Sequence, residues 1–245
     1  MIDIENVSLT IPIYNIGNIS FRKRLMNIFF KEKNFDNVKN VNILSNINLQ
    51  IKQGDRVSVL GKNGSGKTTL LRLLAGIYKP TTGKIKILKK TTPLLDISLG
   101  FDSEATGYEN IYFRSYMLGM KKKEIESKIN SIIEFSELQN QIHDPIRTYS
   151  TGMYLRLAFS VCMFVNPEVL ILDEWISVGD KKFVTKANEK LEELVDKSSS
   201  FIIATHSESQ ALKYTNRSLL ISRGQIIFDG HPEEAIKIYD KQNNY

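Results

Sequence analysis

Apolar and polar residues alternate along MIDIENVSLTIPIY at the N-terminus with the period of a half-buried strand. The stretch NVNILSNINLQIKQGDRVSVLG, residues 40–61, reads as two more strands joined by a turn at Gln53-Gly54-Asp55. The period then changes. TTLLRLLAGI is helical, KIKILKK is a short strand, and residues 107–165 carry helical patterns broken at Pro145. From EVLILDE onward apolar strands alternate with helices: VLIL, a helix near 181–196, FIIAT, a helix near 207–214, and SLLISRGQIIFDG as a hairpin. Strands made wholly of apolar residues suit a parallel sheet covered on both faces. The order predicts one α/β domain over residues 1–245. It has a mostly parallel core sheet, an antiparallel β subdomain at the N-terminal edge, and an inserted helical subdomain over about 105–165.

Composition narrows the picture little. Hydrophobic content of 42% and charged content of 24% are ordinary for a globular chain. The formal charge of +6 arises from 33 basic against 27 acidic residues, with short clusters at Arg22–Arg24 and Lys121–Lys123. That bias permits contact with an anionic membrane or nucleic acid without demanding either. Cys162 is the single cysteine, so an intramolecular disulfide is excluded and a reducing compartment fits. No apolar run reaches eighteen residues, and Asp3 and Glu5 argue against a signal peptide. The chain is not expected to cross a bilayer by itself.

Chemistry enters at GKNGSGKT, residues 61–68, which matches G-x-x-x-x-G-K-[ST] directly between the strand RVSVL and the helix TTLLRLLAG. Gly61, Gly64 and Gly66 let the backbone curl so that successive N–H groups face phosphate oxygens. The following helix presents its positive end. Lys67 is placed to reach the β- and γ-phosphates, and the Thr68 hydroxyl to bind Mg2+. A plain glycine turn would explain the glycines but not the Lys-Thr pair. Nucleotide contacts are expected from Gly61, Asn63, Gly64, Ser65, Gly66, Lys67, Thr68 and Thr69. The buried strand EVLILDE ends in two carboxylates, bringing Asp173 to the metal and Glu174 toward the water that attacks the γ-phosphate. FIIATHS ends another apolar strand, so His206 should face the γ-phosphate from the carboxyl end of the sheet.

A second anion site is legible in YSTGMYLRLAF, where Ser150 and Gly152 open a long apolar helix. One chain has no second nucleotide for it, so it should face the nucleotide of a partner chain. At this point the sequence resembles the ATP-binding cassette (ABC) family over essentially its whole length. YSTGM stands where that family has its signature, VGD at 178–180 resembles its D-loop, and HPEEAIKIY resembles its usual ending. The resemblance implies a homodimer, head to tail, sandwiching two ATP molecules. Each site would combine Lys67, Thr68, Asp173, Glu174 and His206 with Ser150 and Gly152 of the other copy. The departure is Thr151-Gly152-Met153, where the common signature has two glycines and a glutamine.

IPIYNIGNISFRKRLMN, LGFDSEATGYENIYF, YSTGMYLRLAF and LDEWISVGD together look like the ATPases of polysaccharide exporters. That group moves lipid-linked O-antigen, capsule or teichoic acid chains. The narrower resemblance implies an integral-membrane permease as partner, polyprenyl-linked polysaccharide moved through it, and a peripheral location on the cytoplasmic face of the cell membrane. Asp102 stands where relatives often have Gln or His in the Q-loop, and it is a further candidate metal ligand. No appended carbohydrate-binding domain is expected. The alternative is a non-transport ABC ATPase acting on nucleic acid or the ribosome. The long coiled-coil insertion or paired cassettes of such relatives are missing from the sequence, so no nucleic-acid partner is expected. A GTPase would want an N-K-x-D motif, which the sequence lacks, and two-site architecture is useless to a kinase.

The stretch IPIYNIGNISFRKRLMNIFF divides in two. Tyr14 is a candidate to stack on adenine. Phe21, Leu25, Ile28 and Phe29 fall at helical spacing beside Arg22, Lys23 and Arg24, so a short amphipathic helix is expected there, near the membrane face.

Overall fold

A computed structural model describes residues 1–14, 38–96, 99–175 and 181–243. The expected amphipathic helix at 21–30 and the VGD segment at 178–180 lie outside the described residues, as does the side chain of Tyr14.

The N-terminal alternation forms a three-stranded antiparallel sheet. Strand β1 (Ile2–Tyr14) lies between β2 (Val38–Ile51) and β4 (Thr82–Ile87). Its inward residues Ile2, Ile4, Val7 and Leu9 are buried against Leu44, Ile47, Leu49 and Ile51 of β2. The core sheet has six strands in the order β5-β6-β7-β3-β8-β9. These are β3 (Arg56–Leu60), β5 (Thr91–Leu94), β6 (Val169–Asp173), β7 (Ser200–Ala204), β8 (Arg217–Ser222) and β9 (Gln225–Gly230). All neighbouring pairs are parallel except β8–β9, the expected hairpin.

The central strands are apolar on both sides because both sides are covered. Val57, Val59, Ile171, Ile202, Ala204 and Leu219 face a core shared with the N-terminal sheet and with helix α1 (Lys67–Leu74). Leu170, Leu172, Phe201 and Ile203 face a second core. That core is closed by α2 (Gly107–Met117), α3 (Lys122–Ser136), α4 (Thr151–Cys162) and α5 (Lys181–Lys197). A third, smaller cluster joins Leu60 and Leu220 to α6 (Glu208–Tyr214) and α7 (Pro232–Asn243) through Ala211, Ala235 and Ile236.

The helical segment is punctuated as its sequence dictates. Thr106 and Glu109 form a reciprocal capping box at the start of α2. The expected break at Pro145 comes earlier: α3 ends at Ser136, capped by Glu137 in the left-handed conformation at φ 58°, and after Pro145 a single 3-10 turn (Ile146–Thr148) leads to Ser150, the N-cap of α4. Among the described residues no helix is long and apolar enough to cross a membrane.

Candidate functional site

The loop between β3 and α1 wraps around itself and is braced from behind. Gly66 is the N-cap of α1 at φ 109°, with no side-chain cap, so the first amides of the helix stay available to a ligand. A Cβ at Gly61 would fall on the carbonyl oxygen of Ile221, whereas nothing lies within 4 Å of one at Gly64. One glycine is therefore fixed by packing, and the other keeps a concavity open. The brace is Gly224, in the β8–β9 turn: its N–H donates to Ser65 O at 2.8 Å, and its carbonyl accepts from Ser45 N at 2.9 Å. The β8–β9 turn, itself tied to β2 of the other sheet, thus holds the loop in shape.

Lys67 is 8% exposed, and its Nζ donates to Gly61 O at 2.7 Å and Lys62 O at 3.3 Å. The ammonium is folded back over the loop and points into the concavity. Burial lowers its pKa below the ordinary lysine value, opposed by the carboxylates of Glu174 and Asp173. A buried ammonium so placed is stabilised by an incoming anion.

A cavity of about 510 Å³ is lined by Asn63, Gly64, Gly66, Lys67, Thr68 and Thr69 from the loop and α1. Asp173 and Glu174 at the end of β6, His206 after β7, and Ile43 of β2 complete the lining. The strand order explains the meeting: β7 lies between β3 and β6, so three carboxyl ends open on one rim. Glu174 and His206 are about half exposed, with His206 Nε2 3.4 Å from Glu174 Oε1. Glu174 adopts φ 73°, a left-handed conformation uncommon for a residue with a side chain. Its N–H donates to Ala204 O at 2.9 Å, tying the end of β6 to β7.

The donor set fits a nucleoside triphosphate: free helix amides, a glycine cradle and a buried ammonium converge on one concavity. Thr68 and Asp173 line the same cavity, and no group of three His, Cys, Asp or Glu that could hold a metal occurs among the described residues. Two protein oxygens suit Mg2+, which keeps waters and takes phosphate oxygens as its remaining ligands.

The remaining candidates lie elsewhere. Ser65 has its Oγ buried without a partner behind the loop, where Gly61 and Ser65 line a separate 330 Å³ cavity with Ile221 and Tyr239. Asp102 does not line the phosphate cavity. Its Oδ1 accepts from Glu104 N at 2.9 Å, and Asn110 Oδ1 accepts from its own N–H at 2.7 Å. Ser150 accepts from Met153 N at 3.2 Å, and Gly152 is exposed beside it; neither lines the cavity. Two positions that matter to the cavity, Ile43 and Gly224, were not singled out by the sequence. The one is an apolar strand residue and the other a hairpin glycine, and only the tertiary contact distinguishes them.

Fold and cavity together define a P-loop α/β protein of the nucleoside-phosphate-binding type. The chain belongs to the ABC transporter family, whose family model matches residues 44–177, more than half of it. It is 39% identical over 199 residues to the O-antigen export system ATP-binding protein RfbB of Myxococcus xanthus, an alignment covering 81% of this chain and 46% of that protein. The chain thus spans less than half the length of that relative. It is 35% identical to the O-antigen export system ATP-binding protein RfbB of Klebsiella pneumoniae, over 98% of this chain and 97% of that one. In fold it is similar to the post-hydrolysis dimer of the ATP-binding cassette MJ0796 bound to ADP and Pi, with a TM-score of 0.67. That alignment covers 95% of this chain and 99% of the other at 21% identity.

Proposed function

We propose that this chain is the ATP-hydrolysing subunit of an exporter that moves lipid-linked polysaccharide of the O-antigen, capsule or teichoic acid type. The observation that carries the reading is one cavity lined by Lys67, Thr68, Asp173, Glu174 and His206. The names of the relatives, O-antigen export system ATP-binding proteins, support a cargo of the O-antigen type.

In this reading Lys67 and the amides of the Gly61–Thr69 loop hold the β- and γ-phosphates and stabilise the charge that gathers there. Tyr14 stacks on the adenine. Thr68 and Asp173 would hold Mg2+, which when bound neutralises phosphate charge. Glu174 takes a proton from water as the water oxygen bonds to the γ-phosphorus. The bond from that phosphorus to the bridging oxygen breaks, leaving ADP and phosphate. His206 holds the Glu174 side chain and the γ-phosphate rim in register. Asp102, held in its own turn, is not assigned to the metal.

Ser150 and Gly152 act on the nucleotide of a second copy, so the working unit is a homodimer. The membrane partner is a permease, which keeps the subunit peripheral on the cytoplasmic face. An apolar patch supports it: Leu99, Phe113, Tyr116 and Met117 are each more than 40% exposed, at one end of α2 beside the Asp102 loop. Met117 covers Gly100 there, and Arg114 of the same helix donates to Leu99 O at 2.7 Å.

The test is Glu174→Gln. Hydrolysis should fall by about 100-fold to 10,000-fold, the range for loss of a general base, while ATP binding persists and a nucleotide-dependent dimer accumulates. A variant that hydrolyses ATP at the normal rate would remove Glu174 from the reaction.

A further inference from the structure

Trp175, the single tryptophan of the chain, follows Glu174 directly, yet it does not line the phosphate cavity. Its ring lies flat on Tyr214, with centroids 4.2 Å apart and planes 12° from parallel. Its indole N–H donates to Asn188 Oδ1 of α5 at 3.0 Å. Tyr214 is fixed in turn: its hydroxyl donates to Glu192 of α5, which also accepts from Lys213 Nζ at 2.9 Å.

Tyr214 is the last residue of α6, and α6 is the helix that starts just after His206. Ser207 caps it by accepting from Gln210 N, and Thr205 Oγ1 donates to Gln210 Oε1 at 2.7 Å, so hydrogen bonds tie the His206 segment to α6. The stack therefore closes a ring in space. Glu174 meets His206 at the cavity rim, and the residue after Glu174 meets the far end of the helix that His206 leads into.

This arrangement answers a question left by the backbone. Glu174 sits at φ 73°, a conformation that persists only where neighbours over-determine it. On one side the N–H of Glu174 is tied to Ala204 O. On the other side the next residue is pinned by its ring stack and its indole hydrogen bond. We infer that Trp175 is a positioning residue: stacked on Tyr214, it clamps the backbone after Glu174 and so holds the Glu174 carboxylate against His206 and the reacting phosphate. The inference rests on the reading of Glu174 as general base and adds to it the device that aims the carboxylate.

The experiment measures ATP hydrolysis and nucleotide binding by the full chain and four variants, with Trp175 fluorescence as a direct view of the stack. Trp175→Ala should lower kcat about tenfold or more, since a misplacement of about 1 Å can cost on the order of 100-fold. KM for ATP should stay within about twofold, because the Gly61–Thr68 cradle is untouched. Trp175→Phe keeps a ring on Tyr214 and should recover most of the loss. Tyr214→Leu should slow kcat in the same way and shift the emission of the lone indole. The double variant Trp175→Ala, Tyr214→Leu should be little slower than the slower single one, because both changes remove the same contact.

Glu174→Gln is measured beside them. A normal rate there defeats the general-base reading itself, whereas a dead Glu174→Gln with a fully active Trp175→Ala overturns only the clamp. Losses that multiply in the double variant, or a KM that rises as steeply as kcat falls, also overturn it. If Trp175→Ala fails to fold, Tyr214→Leu decides: an unchanged kcat or an unshifted emission ends the proposal.

Discussion

Two turns in this chain lead glycine and a hydroxyl residue into a helix, and they are built in opposite ways. In the Gly61–Thr68 loop the N-cap is Gly66, which offers its helix no side-chain oxygen, and the loop is gripped from behind by Gly224 and from above by Lys67. In the Ser150–Gly152 turn the serine satisfies a helix amide itself, and the glycine lies in the open. Both helix starts carry partial positive charge. Only the first is enclosed by groups of its own chain, so it is a site in one copy. The second is an exposed surface, to which the proposed function brings the nucleotide of another copy.

The largest expected effect tests the enclosed turn. Lys67→Ala removes the ammonium that points into the cavity, and hydrolysis should fall by on the order of 100-fold or more, with weaker nucleotide binding. Steady-state kinetics and a binding titration measure both; unchanged values would break the reading of that turn.

A pair of glycine substitutions then separates the two turns by stability. Gly224 has φ 76°, and a Cβ there would fall on the Ile43 carbonyl. Gly224→Ala should cost about 2 kcal/mol from overpacking and strain, lowering Tm and nucleotide affinity together. At Gly152 a Cβ meets only the Ser150 hydroxyl, 4.0 Å away. Gly152→Ala should leave Tm equal or slightly higher, since alanine is better in a helix by about 0.5–1 kcal/mol, while slowing hydrolysis through the dimer. If Gly152→Ala instead melted early and left hydrolysis intact, the turn would be a structural element and nothing more.

The difference between the turns also shows how far the sequence could be read. The motif residues of the enclosed turn, Asp173, Glu174 and His206 are local signals: each is a chemical group at the end of an apolar strand, and the strand order brings them together. Gly224 reads as an ordinary hairpin glycine, because its partners Ser65 and Ser45 are remote in the chain. Ile43 reads as one more apolar strand position, and Trp175 as an aromatic after a carboxylate pair. Strand β5, TTPL, escaped the pattern because a proline in so short a run argues against a strand. It forms on the edge of the sheet, where a missing donor is tolerated. KIKILKK marked a strand correctly, but the strand begins at Thr82 and ends at Ile87, because pairing with β1 sets its limits.

The smallest effect concerns how firmly the exposed turn's helix is carried. Glu124 of α3 accepts from Lys128 Nζ at 2.9 Å and from Asn166 Nδ2 at 3.0 Å, and Lys128 also donates to Phe164 O, just past the end of α4, at 2.8 Å. The Lys128 hydrogen bond and charge hold the Glu124 carboxyl below its ordinary value of 4.5. A depressed carboxyl stabilises the folded chain above its unfolded value, and the contribution is lost as pH falls below about 4.5 and through the folded value. Glu124→Gln should therefore flatten the Tm–pH curve in the acid range and cost stability at neutral pH by about 0.5 kcal/mol, the scale of an i,i+4 helix pair, with a correspondingly small fall in Tm. The Gly61–Thr68 loop does not depend on this pair, so nucleotide affinity at neutral pH should match that of the unaltered chain. A matching loss of affinity would mean that the two turns are coupled through α4, and the contrast between them would have to be redrawn.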